Sequence, residues 1–152
     1  MAAVPRPASP APEALDVANR LRPVLLHINR HLRREAQSQG TSAGQISMLA
    51  AIELHPGIGV GDLAAREGMS APSVSGHIDR LESAGYVTRV REGGGDRRRV
   101  GLQVTPAGAK LLRSVRSRRT AWLAARLEQL TEDERVRIAA ALDALAGLVA
   151  QR

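Results

Sequence analysis

The spacing of apolar residues predicts four helices in the first 84 residues of the chain. Apolar positions recur at helical intervals over residues 15–37, 42–54 and 60–67. A fourth helix is predicted from Ser70, a capping residue, to about residue 84. Pro23 lies inside the first helix, so it should either kink that helix or mark where its regular part begins.

After Gly85 the pattern changes from helical to alternating. Val100, Leu102 and Val104 alternate with other residues, which predicts a half-buried strand, and the segment from residue 87 to residue 91 is also β-rich. Three consecutive glycines lie between the two runs. The pattern therefore predicts a β-hairpin.

Two more helices are predicted to follow the hairpin. Thr105 and Pro106 give a capping residue followed by proline at the first helical position, and Thr131 with Glu134 forms a capping box before the last helix. The predicted order is four helices, a hairpin and two helices. We therefore expect a mainly α fold with a small β-hairpin.

The charge balance points to a polyanionic partner. The 152 residues include 22 basic and 15 acidic residues, for a net charge of +7, and Lys110 is the only lysine. Arginine can fork onto phosphate or guanine, which favours nucleic acid over a membrane surface. A GC-rich genome would give the same arginine excess, so composition alone leaves both explanations open.

Several classes of function lack the residues they need. There is no cysteine, which excludes disulfides and thiolate chemistry, and one Trp with one Tyr leaves no stacking surface for single strands. The sequence shows no nucleophile–base pair, phosphate-binding loop or metal-ligand spacing, so we expect neither an enzyme nor a cofactor or metal. No apolar run could cross a membrane, and the N-terminus lacks a signal-peptide core, so we expect a cytoplasmic protein.

The third and fourth helices have the form of a helix-turn-helix, whose second helix would enter the major groove of duplex DNA. Val74, Ile78 and Leu81 fall on one face of that helix and should pack in the core. The positions predicted to meet DNA are Ser70, Ser73, Ser75, Gly76, His77 and Arg80. Taken alone, this polar set could equally be an ordinary solvated helix face.

The predicted hairpin carries a dense cluster of arginines directly after the helix-turn-helix. Such a cluster would repel itself unless a polyanion were near, and the minor groove attracts arginine through its negative potential. Glu92 and Asp96 only partly offset the positive charge. The basic residues are Arg89, Arg91, Arg97, Arg98 and Arg99.

Two segments resemble the MarR (multiple antibiotic resistance regulator) family of winged helix-turn-helix regulators. The run from Asp96 to Gly108 is similar to the family's wing signature, in which an Asp, any residue and an Arg precede five residues and an aliphatic-Thr pair. The run from Ser73 to Val87, with Asp79-Arg80-Leu81-Glu82 inside it, is similar to the family's recognition helix. The resemblance extends over nearly the whole chain from residue 15 onward.

The resemblance implies a homodimeric DNA-binding regulator, commonly a repressor. It implies that residues 55–104 form the winged helix-turn-helix and that residues 15–54 and 105–152 form a helical dimerisation region. Residues 1–14 are predicted to be a disordered tail from their proline-rich composition. Asp96 would orient Arg98 into the minor groove, and Arg97 and Arg99 would contact phosphates. A two-fold dimer predicts a pseudo-palindromic operator. Gly76 and His77 depart from the larger residues of many relatives, so the base preference does not carry over.

Members of the family commonly release DNA when a phenolic or anionic molecule binds between the dimerisation helices and the DNA-binding lobes. His27 and His31 lie one helical turn apart, with Glu35 a turn further, and could line such an effector pocket or bind a metal. Solvated or core-edge histidines are the simpler interpretation. Trp122 is expected to pack rather than to stack on a ligand.

One alternative function remains open at this level. A winged helix could bind an acidic protein partner through its arginines instead of DNA. The operator, the regulated genes and the effector cannot be read from the sequence.

Overall fold

The structure, a computed structural model, describes residues 11–37, 40–91 and 100–150. Its elements follow the order α1, α2, α3, α4, β1, β2, α5, α6. The six helices span Pro12–Gln37, Ala43–Leu54, Val60–Glu67, Ala71–Ser83, Pro106–Leu127 and Glu132–Ala150. Strands β1 (Val87–Arg91) and β2 (Val100–Val104) form one antiparallel sheet. The mainly α fold with a small hairpin is therefore confirmed.

Helix α1 begins earlier than the sequence pattern predicted. It starts at Pro12, and the carbonyl of Ala11 accepts the amide hydrogen bond of Leu15. Residues 12–14 are thus helical and the predicted tail is too long at its C-terminal end, because proline is well tolerated at the first helical position. Pro23 lies well inside α1, so it does not mark the start of the helix. Residues 1–10 of the predicted tail lie outside the described residues.

The hydrophobic core lies in the middle of the chain. Leu49 and Ile52 of α2, Leu63 of α3, Ile78 of α4 and Leu102 of β2 are all fully buried. The first turns of α5 complete this core with Leu111, Leu112 and Val115. We call the unit formed by α2 to α4, the two strands and the start of α5 the central lobe.

A third extended segment joins the two-stranded sheet. Ile58, in the link between α2 and α3, forms a bridge with Leu102, and the amide of Gly57 donates to the Leu102 carbonyl. A side chain at Gly101 would collide with the backbone of Gly57, since its Cβ would lie 2.7 Å from the Gly57 oxygen. Glycine is required there because two backbones approach each other closely.

The terminal helices contribute little to this core. None of the 19 residues of α6 is buried. Leu15, Val24 and Leu26 of α1 and Leu142 and Leu148 of α6 expose roughly half or more of their surface. Helix α1 contacts α2 and α5. The chain thus leaves large apolar side chains uncovered at both ends.

Candidate nucleic-acid interface

Helix α4 is built as the sequence pattern predicts for a recognition helix. The Ser70 side chain caps its start, because its hydroxyl accepts a hydrogen bond from the Ser73 amide at 3.4 Å. Val74, Ile78 and Leu81 are at most 1% exposed and anchor the helix in the core. The inner face is therefore fixed by packing, which leaves the opposite face for a ligand.

The outward-facing residues of α4 differ in how far they reach solvent. Ser73 and Arg80 are exposed, like Ser70 at the cap, whereas Ser75, Gly76 and His77 are partly buried. The His77 Nδ1 atom is buried and has no hydrogen-bond partner within the described part of the chain. A Cβ built on Gly76 would meet nothing within 4 Å, so that glycine leaves an opening rather than relieving a clash.

Arg89 joins strand β1 to α4. Its Nη2 donates to the Asp79 carboxylate at 2.7 Å, and its Nη1 donates to Glu82. These bonds, led by the one to Asp79, raise the pKa of the Arg89 guanidinium above its usual value. The predicted DNA contact at Arg89 therefore lies in an ion-pair network between the recognition helix and the hairpin.

The hairpin pairs in register from Val87 with Val104 to Arg91 with Val100. Arg91 is the last described residue of β1, and the hairpin tip lies outside the described residues. The predicted wing residues Asp96, Arg97, Arg98 and Arg99 fall in that part of the chain. The structure thus describes the base of the wing.

One threonine fixes the junction between the hairpin and α5. Thr105 caps α5 by accepting from the Gly108 amide at 3.1 Å, and its hydroxyl donates to the Gly85 carbonyl at 2.6 Å. A side chain at Gly108 would lie 2.2 Å from the Tyr86 carbonyl oxygen. The turn that follows α4 and the start of α5 are therefore in direct backbone contact.

A cavity of about 300 Å³ lies where α1, α2 and α5 meet. Apolar residues such as Ile46 and Val115 line it. Three arginines also line it, Arg33 from α1 and both Arg116 and Arg119 from α5. Arg116 pairs with Glu53 of α2. The Nε of Arg119 donates to the Leu32 carbonyl, and burial lowers the pKa of this guanidinium. The cavity therefore combines an apolar wall with concentrated positive charge.

The two histidines predicted for an effector pocket lie elsewhere. His27 and His31 meet edge to face with ring centroids 4.8 Å apart, and His31 stacks on Trp122 at 5.1 Å. Neither histidine lines the cavity between α1, α2 and α5. Partial desolvation, with smaller contributions from His27 and nearby arginines, lowers the pKa of His31. Within the described ranges no group of three potential metal ligands occurs.

Sequence reasoning missed the arginine-lined cavity. Arg116 and Arg119 are one turn apart on α5, and that spacing was the only feature of the local sequence that indicated a shared arginine site. The third arginine, Arg33, lies more than 80 residues earlier in the chain, so only the packing of α1 against α5 brings it to the same place. None of the helices that the structure describes is both long and apolar enough to span a membrane.

Comparisons with known proteins agree on one family. A family model described as MarR family matches residues 39–99. An uncharacterized HTH-type transcriptional regulator of Mycobacterium bovis is 32% identical over 88% of this chain and 92% of its own length. An HTH-type transcriptional repressor of Bacillus subtilis is 28% identical over 82% and 79% of the two chains.

Solved structures show the same fold over nearly the whole chain. A Pseudomonas aeruginosa protein superposes with a TM-score of 0.79 and 31% identity, covering 94% of this chain and 99% of its own. A MarR family protein from Bacillus stearothermophilus superposes with a TM-score of 0.76 at 21% identity, covering 95% and 100%. The second likeness is evidence for the fold alone.

Proposed function

Because the chain belongs to the MarR family of transcriptional regulators, we propose that it is a repressor that binds a pseudo-palindromic operator as a homodimer and responds to a small anionic effector. The observation that carries the DNA-binding part is the joined recognition helix and hairpin. Helix α4 presents an uncovered polar face, and Arg89 links it directly to the strand that leads into the arginine-rich wing. We expect Ser73, His77 and Arg80 to meet base edges and Arg98 to enter the minor groove.

The apolar surfaces of the terminal helices support the homodimer. Helix α6 has no buried residue, yet Ile138, Leu142, Leu148 and Val149 lie along it. A group of large apolar side chains exposed along one helix is typical of an interface with another protein chain. A second copy of the chain would present the same surface, as a two-fold dimer requires. The two recognition helices would then face successive turns of the operator.

The cavity between α1, α2 and α5 supports an effector site. Its three arginines would pair with a carboxylate or phenolate, and Ile46 and Val115 would contact an apolar ring. The cavity touches both the central lobe and α1, so a ligand there could shift one relative to the other. We therefore place the proposed effector beside Arg33, Arg116 and Arg119 rather than at His27 and His31.

A gel shift with fragments selected from the source genome tests the DNA-binding function. We expect a selected duplex to bind far more tightly than a random one. If the dimer contacts about 6–10 phosphates, affinity should fall by roughly 10³–10⁵ between about 50 and 200 mM salt. Absence of duplex binding at low salt would contradict the proposal, and salt-sensitive binding to an acidic protein without duplex binding would favour the alternative function.

Benzoate provides a simple probe of the effector site. We expect it to raise the thermal unfolding midpoint of the wild type, because a ligand that binds the native state stabilises it. Arg119→Ala should lose that shift, whereas Arg113→Ala, an exposed arginine of the same helix outside the cavity, should keep it. Equal shifts in both variants would contradict the location.

A further inference from the structure

The net charge of the recognition helix opposes its approach to DNA. Its charged side chains are Asp79, Arg80 and Glu82, so two carboxylates outnumber one guanidinium and α4 alone has a net charge of −1. Asp79 and Glu82 are also accessible, with side chains 61% and 37% exposed. A helix of this charge would be repelled by a phosphate backbone, since like charges brought together at an interface oppose binding.

Arg89 supplies the missing positive charge from the neighbouring strand. Both of its terminal nitrogens are engaged, Nη2 with Asp79 and Nη1 with Glu82. Only a third of its side chain remains exposed. Arg80 differs, because it is exposed and has no ion pair with any described residue. The two arginines of this region therefore have different environments.

The position of Arg89 in the sheet is also fixed. Arg89 lies opposite Leu102 in the hairpin, and Leu102 is fully buried and bridged on its other side by Ile58. Strand β1 therefore cannot slide without disturbing the core. Through Arg89, this fixed strand holds the carboxylate side of α4.

We propose that Arg89 acts on DNA binding by neutralising Asp79 and Glu82 of the recognition helix, and that it does not contact a DNA phosphate. This inference rests on the proposed DNA-binding function. A phosphate that drew the guanidinium away from either carboxylate would expose negative charge where the duplex approaches.

Three variants distinguish neutralisation of the two carboxylates from contact with a phosphate. Arg89→Ala leaves both carboxylates unpaired, so we expect operator affinity to fall by roughly tenfold to a hundredfold. The triple variant Asp79→Asn, Glu82→Gln, Arg89→Ala removes the repulsion with the bridge, and its affinity should return to within about tenfold of wild type. The matched control is Arg137→Ala, which breaks the exposed pair with Asp133 on α6 and should leave affinity unchanged.

The salt dependence of binding provides the second measurement. The triple variant should keep the wild-type slope of log affinity against log salt, because no phosphate contact has been lost. Loss of one phosphate contact in each protomer of the dimer would reduce that slope by about 1.8, because each contact contributes about 0.9. Thermal unfolding of each variant identifies any loss of affinity that comes from unfolding.

Each result of these affinity and salt measurements either supports or overturns the proposal. Recovery of affinity in the triple variant with an unchanged slope supports the proposal. The proposal is overturned if the triple variant stays more than about tenfold weaker than wild type, if its slope falls by about 1.8, or if a folded Arg89→Ala binds as tightly as wild type. If wild-type protein binds no duplex, the DNA-binding function itself fails instead.

Discussion

The central lobe and the terminal helices differ in how much apolar surface they bury within one chain. Every apolar residue that the structure buries lies between Ala43 and Val115, and the lobe completes its core within one chain. Helix α6 buries nothing, although its Leu142, Leu148 and Val149 are apolar. The lobe can therefore keep its shape alone, whereas the terminal helices are suited to pack against a second copy.

The largest expected effect comes from a substitution that would leave a cavity in the core of the lobe. Leu49 of α2 is fully buried, so Leu49→Ala should reduce the free energy of unfolding by about 2–5 kcal/mol. Denaturant unfolding followed by circular dichroism measures this loss. The control is Leu54→Ala at the exposed end of the same helix, where we expect a change within about 0.5 kcal/mol. Similar losses in both variants would contradict the contrast in burial.

A charge on α6 should break the dimer without unfolding the lobe. Leu142→Asp would bury a carboxylate in the proposed apolar interface, which should weaken dimerisation by at least about 2 kcal/mol, or roughly thirtyfold. Sedimentation velocity measures the change. Gln129→Asp adds the same charge at an exposed polar position between α5 and α6 and should leave the dimer intact. A wild-type protein that sediments as a monomer at micromolar concentration would contradict the proposed interface.

The two threonines that cap helices provide a further test of the contrast between the lobe and the terminal helices. Thr105, in the lobe, caps α5 and also bonds the Gly85 carbonyl, so Thr105→Ala should cost about 1–2 kcal/mol of unfolding free energy. Thr131 caps only the exposed α6, so Thr131→Ala should cost about 0.5–1 kcal/mol. Denaturant unfolding of the two variants compares them. The reverse order would show that the α5 junction is not the tighter one.

The periodic patterns predicted the structural features that depend on residues close together in the chain. The spacing of Val74, Ile78 and Leu81 indicated the buried face of α4, and Thr105 and Thr131 indicated where two helices begin. These features depend on side chains three or four residues apart. The MarR resemblance, confirmed by the comparisons, supplied the arrangement of the elements.

Contacts between distant segments could not be predicted in the same way. Arg116 and Glu53 pair across 63 residues, and the bridge of Ile58 to Leu102 involves a residue outside any predicted strand. Arg89 shows the physical reason most clearly. Its charge suggested a DNA contact, but only the packing of β1 on α4 reveals the two carboxylates beside it.

The smallest expected effect is a dependence of stability on pH at the start of α6. Bonds from the Thr131 amide, and then from its hydroxyl, lower the pKa of the Glu134 carboxyl. A lowered native pKa means that the unfolded state binds the proton more readily, so this contribution is present above the ordinary glutamate pKa of about 4.3 and is lost as pH falls through the lowered value.

Glu134→Gln isolates this contribution, because glutamine can still complete the capping box but cannot titrate. Wild type should exceed the variant in unfolding free energy at neutral pH, and the difference should disappear as the solution is acidified below the native pKa of Glu134. Denaturant unfolding at a series of pH values measures the difference. A constant offset at every pH would mean that the shape of the side chain, and not its charge, stabilises the first turn of α6. In that case, the stability of the first turn of α6 would depend only on the geometry of the capping box.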